Sequence, residues 1–355
     1  MMKRFSRLAL WINLIFLLTH QVVGQNLSSD STRRLFIEPF DKKINIGPIL
    51  RHRYPIFIIS GQDATHKRLY FRPNNSATAG LRGYTFGIAW ETTLSLGKGT
   101  RNTSRYGESH SSDIVINGVG KRWYGDFQWL NYEGLYLKRS WENYSGDTVY
   151  PSRTDMTIRT RSASFTWIFR PERFSLRSAY LFTERQIKSS GSPLLRVQVS
   201  TTKFDAHSPL ISGVDVDYFS DLDQVNGIHF TSFGVGAGYS YTYVPKKNFF
   251  INGTVVAGPA HYWSRYLNPG TTRTYDVQFN LNSYMGFSAG YNGDRFYGGF
   301  SYRGQTFSLK TNSSLINGNQ NSFAIHGGMR IRESGILKKR MNDINYRKAL
   351  NGFSF

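Results

Sequence analysis

The 355-residue chain contains no cysteine. Disulfide bonds, thiolate metal sites and a lipid-anchored N-terminal cysteine are therefore excluded, and the lack of disulfides favours a bacterial envelope protein over a large secreted eukaryotic domain. Long apolar runs are also scarce. The one that occurs, from Leu8 to Leu18, is about half as long as the ~20 residues that a membrane-spanning helix requires. A helical membrane protein is therefore excluded as well.

The single apolar run has the features of an export signal. Lys3, Arg4 and Arg7 precede it, and Val22-Val23-Gly24 follows it at a distance that suits signal peptidase. We therefore predict a signal peptide over residues 1–24 and export of the rest of the chain. Because the rest offers no helical route into a membrane, the exported protein is either soluble or a β-barrel.

The composition is strongly basic. The formal charge is +21, and removal of the three basic residues of the signal leaves +18. Nucleic-acid binding is one interpretation of such a charge. Export argues against it, and the basic residues are spread along the chain between aromatic segments. We therefore expect no nucleic acid, and anionic lipid head groups or small anionic solutes as partners.

A two-residue alternation recurs from about Leu69 to Ile331. In the best example, apolar residues share one face of a seventeen-residue segment and polar residues share the other. The apolar set is Tyr275, Val277, Phe279, Leu281, Met285, Phe287, Ala289 and Tyr291. Only an extended strand separates these sets. At ~3.3 Å per residue the segment covers more than about 50 Å, enough to cross a bilayer at a tilt.

The composition agrees with strands that face lipid on one side. Aromatic residues make up 15% of the chain, yet its mean hydropathy of -0.41 is that of a soluble protein. A barrel strand presents only every second residue to lipid, which produces this combination. Further alternating segments lie at 165–169, 174–182, 233–243, 296–302 and 323–331.

Connections between these segments alternate in length. Short turns are predicted at 170–173, 245–247 and 292–293, and longer loops at about 97–111, 139–153, 263–273 and 310–320. The sequence therefore predicts an all-β fold. It is an antiparallel transmembrane β-barrel of about twelve strands, within a range of about ten to fourteen, in the outer membrane of a Gram-negative bacterium.

Four segments are expected along the chain. A signal peptide (1–24) precedes a periplasmic N-terminal segment with weak alternation (25–65). The barrel (66–335) follows, and the chain ends in a basic periplasmic tail (336–355). One inconsistency remains, because three predicted strands separate the turns at 170–173 and 244–247, whereas turns at the same end require an even number. We expect the error between Ile187 and Gly227.

Five stretches resemble an uncharacterised outer-membrane β-barrel family of the Bacteroidota, a domain-of-unknown-function family. The stretches are Leu69–Asn74, Tyr132–Tyr136, Arg173–Tyr180, Glu184–Ser192 and Gly238–Thr242, of which Glu184–Ser192 is the most specific. Family members tend to have Ala where this chain has Ser190. The resemblance implies the barrel fold and the outer membrane, and it supplies no activity.

One group of charged residues is a candidate site. Its members lie on adjacent predicted strands whose other faces are aromatic, and they are Arg159, Arg161, Arg177, Glu184, Arg185 and Lys188. One interpretation is a basic lumen that selects anions. The other is a network of ion pairs between strands that fills a narrow interior, where charges are tolerated when they meet water or one another.

Catalytic and metal-binding patterns are weak. Ser322 and His326 share a strand face but lie ~13 Å apart, too far for a hydrogen bond. The glycines of residues 234–238 lie inside an alternating strand, not between a strand and a helix. The acidic group within 215–223 lacks the spacing of a calcium loop. We predict no catalytic residue, no metal and no cofactor.

Three classes of function remain open. The first is a structural barrel or a narrow passive channel for small solutes, anionic ones among them. The second is a docking protein that uses the loops 97–111 and 139–153 or the tail 336–355. The third and least supported is an enzyme that modifies outer-membrane lipid. Expected partners are outer-membrane lipids, including anionic head groups, and the machinery that inserts barrels during biogenesis.

Overall fold

The computed structural model describes residues 27–40, 42–61, 67–74, 77–85, 88–97, 99, 101–145, 148–211, 213–268, 274–311 and 313–334. The predicted signal peptide and basic tail lie outside these residues. Within them, no helix has both the length and the apolar character needed to cross a membrane.

Antiparallel strands dominate the described chain, as the alternation predicts. The helices are α1 (Leu27–Arg34), α2 (Thr103–Tyr106) and α3 (Leu176–Tyr180), and single 3-10 turns occur at Gly213–Asp215 and Ser220–Leu222. The strands are β1 (Ile37–Pro39), β2 (Lys43–Gly61), β3 (Arg68–Arg72), β4 (Thr78–Thr85), β5 (Ile88–Ser95), β6 (His110–Val119), β7 (Trp123–Arg139), β8 (Ser152–Ile168), β9 (Glu184–Gln186), β10 (Ser190–Asp205), β11 (Gly227–Lys246), β12 (Phe249–Leu267), β13 (Thr274–Asn292), β14 (Phe296–Lys310) and β15 (Ser314–Arg332).

The main sheet closes into a ring because β2 pairs with β15, from Ser314 opposite Gly61 to Arg332 opposite Lys43. One end of the ring holds the short connections β6–β7, β11–β12 and β13–β14, and we name it the turn end. The opposite end, where β7–β8, β10–β11, β12–β13 and β14–β15 connect, is the loop end. At the turn end β4, β5 and β6 lie between β2 and β7, whereas at the loop end β3 pairs with both β2 and β7. In the described residues the ring therefore narrows from twelve strands to ten.

An apolar belt covers the outward face of the ring. On β13, Val277, Phe279 and Leu281 leave 60–68% of their surface exposed. Tyr239, Tyr241 and the following Tyr243 are exposed at the turn end of β11, as in an aromatic girdle. Soluble monomers do not expose continuous apolar surface on this scale. The fold is therefore an antiparallel transmembrane β-barrel, as predicted.

The start of the barrel corrects the sequence prediction. Residues 43–61 were assigned to a periplasmic segment that reached residue 65, but they form the first strand of the ring. The alternation on β2 is weak because both faces carry apolar residues, such as the exposed Leu50 and the buried Phe57 and Ile59. Pro48 and Pro55 also argue locally against a strand.

The error in strand number lies at residues 174–182, earlier than expected. This segment was predicted as a strand, but it enters the lumen and contains α3. The Ser175 side chain accepts a hydrogen bond from the Ser178 backbone N–H and begins the helix. Phe182 has a φ of 58°, which a β-strand does not permit. Two strands, β10 and β11, therefore remain between the turns, and their number is even.

One seam of the ring is incomplete. Among the described residues, backbone pairing between β13 and β14 runs from Asn292 and Tyr297 to Ser283 and Thr306 and ends there. Towards the loop end, β13 stays paired with β12, and β14 stays paired with β15. We name this unpaired stretch, between residues 276–282 and 307–310, the seam.

Closure by β2 can be tested with cysteines, since the chain has none of its own. Leu50 and Ile325 lie directly opposite each other, and both point outward. Such partners lie close enough for a disulfide bond. We expect the variant Leu50→Cys/Ile325→Cys to crosslink on oxidation, and the denatured chain to migrate faster until it is reduced. The pair Leu50→Cys/Phe287→Cys joins strands that are not neighbours and serves as the control. A barrel that began at residue 66 would give no crosslink at Leu50.

Candidate functional site

The lumen is filled in three layers. Residues 206–226, here named the cap, fold into the loop end. Charged side chains from the barrel wall, the central network, cross the middle. Residues 27–40 and 169–189, here named the plug, fill the turn end, where β1 pairs with β9.

Half of the central network is organised around Arg51 on β2. Its guanidinium contacts Glu91 on β5 and lies 3.2 Å from a carboxylate oxygen of Asp113 on β6. Arg53 reaches the same carboxylate at 2.5 Å, and Arg82 on β4 lies 3.3 Å from Glu91. Each side chain of these five except that of Arg53 is at least 95% buried. Buried charges of this kind are stable only when they pair.

The second half of the central network lies across the lumen. Arg196 on β10 approaches Asp126 on β7 at 3.2 Å, and Ser164 donates a hydrogen bond to the same carboxylate. Arg303 on β14 lies 3.5 Å from the Tyr124 hydroxyl and against the ring of Tyr180, 5.3 Å from its centre. The network thus places five arginines beside three carboxylates. The network therefore joins strands that are far apart in the sequence.

The sequence-predicted cluster is divided between two places. Arg177, Glu184, Arg185 and Lys188 lie in the plug, whereas Arg159 and Arg161 point outward from β8. Arg159 pairs with Asp205 at 2.6 Å on the outside of the barrel, and its side chain is 53% exposed. The guanidinium of Arg161 lies 4.2 Å from the ring centre of Trp129. The structure therefore does not bring these six residues into one lumenal group.

Glu184 is the charged centre of the plug. Its carboxylate lies 2.7 Å from Arg33 of α1 and 3.3 Å from Arg177 of α3, and it accepts a 2.6 Å hydrogen bond from the Ser175 hydroxyl. Burial by itself would raise the pKa of Glu184. Arg177 and Arg33 outweigh that effect and hold the pKa below its usual range. This carboxylate therefore joins the N-terminal segment to residues 169–189.

The neighbouring charge, Arg185, attaches the plug to the barrel wall. It pairs with Glu38 at 2.5 Å and with Asp294 at 3.0 Å, and it donates a 2.7 Å hydrogen bond to the Asn248 side chain. Asp294 and Asn248 belong to the turns β13–β14 and β11–β12. Lys188 lies 5.5 Å from the centre of the Phe36 ring.

The backbone carbonyls at the tip of the plug accept hydrogen bonds from side chains of the barrel wall. The Asn45 amide donates to the carbonyls of Leu181 and Phe182, at 3.2 and 2.9 Å. Arg330 donates to the Phe182 carbonyl at 2.7 Å. The Phe182 ring stacks on Tyr297 with 5.0 Å between centres. Contacts from both β2 and β15 therefore fix a backbone with positive φ, a conformation that is strained for an aromatic residue.

The cap is apolar beneath and acidic at its rim. Leu210, Ile211, Phe219, Leu222 and Val225 are at most 2% exposed, and they pack on aromatic residues of the wall. Two members of the acidic group hold the cap in place: Asp215 pairs with Arg139 at 2.7 Å, and Asp221 accepts a 2.6 Å hydrogen bond from Ser314. Beside the cap lies an open cavity of about 630 Å³, which we name the lateral pocket.

The strand-borne histidines His229 and His326 lie in different surroundings. On the outside of the barrel, His229 contacts Asp205 through one ring nitrogen and lies 3.1 Å from Arg265 through the other. Arg265 can only donate, so that nitrogen accepts and has no lone pair left for substrate. His326 packs edge-on against Phe182. No group of three or more His, Asp or Glu side chains that could hold a metal ion occurs in the described residues.

Sequence reasoning missed the central network. Its carboxylates, Glu91, Asp113 and Asp126, come from three different strands, and only the closed ring brings them to the arginines. A usable signal existed, because each is a single acidic residue at an inward position of an alternating strand. Such isolated charges in a membrane barrel predict lumenal pairs.

The role of Glu184 can be tested by Glu184→Gln. We expect a loss of about 3 kcal/mol of unfolding free energy, because the change leaves two buried arginines without their carboxylate. Glu38→Gln is the matched control, since Glu38 is 43% exposed, and we expect it to cost about 1 kcal/mol or less. Urea unfolding followed by gel mobility measures both.

The stabilisation of the fold by Glu184 should be lost at acid pH. Because the pKa of Glu184 is lowered in the fold, its stabilisation is complete above its ordinary value of 4.5 and disappears as the pH falls through the lowered value. Glu184→Gln should remove this acid-sensitive component. An equal loss of stability in both variants would show that Glu184 does not hold the plug.

Solved structures of other proteins align with most of the chain at low identity. The outer membrane protease OmpT from Escherichia coli is 11% identical, over 81% of this chain and 95% of that chain, with a TM-score of 0.36. The translocator domain of autotransporter NalP from Neisseria meningitidis is 11% identical, over 79% and 88%, with a TM-score of 0.33. The outer membrane protein OprG from Pseudomonas aeruginosa is 7% identical, over 82% and 95%, with a TM-score of 0.25.

No curated protein sequence matches the chain. The family described as "Domain of unknown function (DUF4421)" matches residues 28–330, which include all of the plug but Leu27, every strand of the ring up to β14 and most of β15. The chain belongs to the DUF4421 family.

Proposed function

We propose that the protein is a structural barrel of the outer membrane whose lumen is closed. Its turn end faces the periplasm, and its loop end faces outward. The observation that carries this proposal is the filling of the lumen at three successive depths by the cap, the central network and the plug. A passive channel would need an aqueous path through all three layers.

The central network supports a structural role. Glu91 and Asp113 are each shared between two arginines, and both are 3% exposed at the side chain. Such paired charges fill a bore with polar groups that satisfy one another. The surplus of arginine would favour anions if the plug and the cap moved away, so anion passage remains the second candidate.

Planar-bilayer recording tests the closed lumen. We expect no discrete current from the unmodified barrel. Gly286→Leu should disturb the plug, because a Cβ at this position would lie 2.3 Å from the Tyr180 hydroxyl. Replacing the cap with a short Gly/Ser linker opens the other end. We expect no discrete current from either change alone, because the central network still closes the lumen, and discrete current from the unmodified protein would refute the proposal.

The outward basic residues support a lipid partner. Arg159 and Lys203 face each other on β8 and β10, and Arg161 lies two residues along β8. We name these three residues the rim patch. The outward positions that follow on β8, such as Phe165 and Trp167, belong to the apolar belt. The rim patch thus lies where the anionic head groups of an outer leaflet would meet the barrel.

Removal of the rim patch should reduce bound anionic lipid. We expect Arg159→Ala/Arg161→Ala/Lys203→Ala to retain fewer phosphorylated lipids after purification from outer membranes, as counted by native mass spectrometry. The variant Lys246→Ala/Lys247→Ala/Arg295→Ala removes the same charge at the turn end and should retain the normal number. Equal retention by the two triple variants would contradict a rim site. Docking through residues 336–355 stays a prediction from the sequence.

A further inference from the structure

The lateral pocket opens beside the seam. Its walls come from the loop-end parts of β13 and β14, from the end of β12 and from the cap. The outward-facing Phe279, which is 68% exposed, also lines it. The pocket therefore reaches the outer surface of the barrel sideways. Its volume of about 630 Å³ falls within the range of about 300–1,000 Å³ that is usual for small-molecule sites.

Side-chain amides replace the missing backbone ladder across the seam. The Gln278 side chain accepts a 2.7 Å hydrogen bond from the Lys310 backbone N–H and donates to the Lys310 carbonyl. Asn280 donates to the Ser308 carbonyl at 2.9 Å. An unpaired strand edge at membrane depth is tolerated only where it lines a polar or water-filled cavity. The lateral pocket supplies that cavity.

The pocket contains hydrogen-bonding groups without partners. Among the described residues, the hydroxyl of Tyr266 and the side-chain carbonyl of Asn268 have no hydrogen-bond partner of normal geometry, and Tyr266 is 93% buried. The carboxylates of Asp221 and Asp276 also line the pocket, against one cation, Lys310. Acceptors therefore dominate, and the charge is negative on balance. Such a lining favours a ligand that donates through hydroxyl groups and disfavours a phosphate.

The outer surface differs on the two sides of the seam. On β13, the apolar residues Val277, Phe279 and Leu281 point outward beside it. On β14, the outward positions are Thr306 and Ser308, and the polar residues of 317–321 follow on β15. An apolar lip thus adjoins a polar pocket. This juxtaposition matches a molecule with an apolar tail and a hydroxyl-rich head.

We propose that the lateral pocket binds the sugar head group of a glycolipid that reaches it sideways from the outer leaflet through the seam. The acyl chain lies along Val277, Phe279 and Leu281 outside the barrel. The head group displaces the amide bridges of Gln278 and Asn280 and meets Tyr266 and Asn268 inside. A free sugar would have the polar contacts without the apolar ones, and a phospholipid would have the reverse.

A pair of phenylalanine substitutions tests the head-group contact. The probe is radiolabelled dodecyl maltoside, added below its micellar concentration to the barrel in phosphatidylcholine nanodiscs, with empty discs as background. We expect saturable binding that Tyr266→Phe weakens about fivefold, the effect of one lost hydrogen bond. Tyr262→Phe is the matched control, because its hydroxyl is also buried without a partner on β12 but lies outside the pocket. Equal affinities in the two variants would overturn the proposal.

Two further ligands separate the contribution of the sugar head group to binding from that of the acyl chain. Maltose has the same head without a tail, and dodecylphosphocholine has the same tail with a charged head. We expect neither to displace the probe at equal concentration. Displacement by maltose would show a sugar site without a lipid route, and displacement by dodecylphosphocholine would show an apolar surface without head-group recognition. Either result would overturn the proposal.

Disulfide bonds test the lateral route. Leu281 and Ser308 would be direct partners if the ladder of Ser283 and Thr306 continued. We expect Leu281→Cys/Ser308→Cys to lose probe binding when oxidised and to recover it when reduced. The control, Ser308→Cys/Asn317→Cys, joins strands that are already paired and should bind normally in both states. Unchanged binding with the seam crosslinked would overturn the route, and if this crosslink does not form, the Tyr266→Phe comparison decides.

Discussion

The structure depends on one constraint: inside a bilayer, each backbone N–H and C=O group must be paired within the protein. A sheet meets this constraint only when it closes, and here closure depends on β2 and β15. That pairing also explains how β2 accommodates Pro48 and Pro55, since the ring as a whole fixes the strand. The same closure sets the width of the lumen. Because β3 bypasses β4, β5 and β6 at the loop end, the ring is narrower there than at the turn end.

The change in width matches the way each depth is filled. At the narrow loop end, aromatic side chains from opposite walls meet directly and the cap packs on them; Phe57 and Phe204 stack with 4.4 Å between ring centres. In the middle, wall residues meet only through long side chains, and arginine with aspartate or glutamate spans the gap. At the wide turn end, side chains alone do not close the lumen, and a folded segment enters. The plug is held there through its own carbonyls, as at Phe182, where Asn45 and Arg330 donate. In each layer the buried carboxylates are paired with arginines, as buried charges require.

These layers also explain what the sequence could predict. The alternation on β11 and β13 identified lipid-facing strands because one face meets lipid and the other meets polar neighbours. The alternation did not identify β2, because the narrow lumen makes the inner face of that strand apolar too. It predicted a strand wrongly at residues 174–182, because the buried apolar residues of the plug have a similar spacing. Arg159 and Arg161 have the same parity as Phe165 and Trp167, so their outward position was already contained in the sequence. The central network could not be predicted from the sequence, because its contacts cross the lumen between strands that share no local pattern.

The seam is the place where the closure constraint is relaxed, and its residues argue against simple fraying. A frayed strand edge is normally protected by charges, proline or a polar outer surface. The β14 side follows that rule with Thr306 and Ser308, but the β13 side exposes Val277, Phe279 and Leu281 to lipid. At the same depth, the inward positions of β13 carry Asp276, Gln278 and Asn280, and the amides of Gln278 and Asn280 bridge the gap. Fewer hydrogen bonds must break to open these amide bridges than to open a continuous backbone ladder. An apolar outer surface, a polar inner surface and a breakable bridge between them form one arrangement, which a closed structural barrel alone does not require.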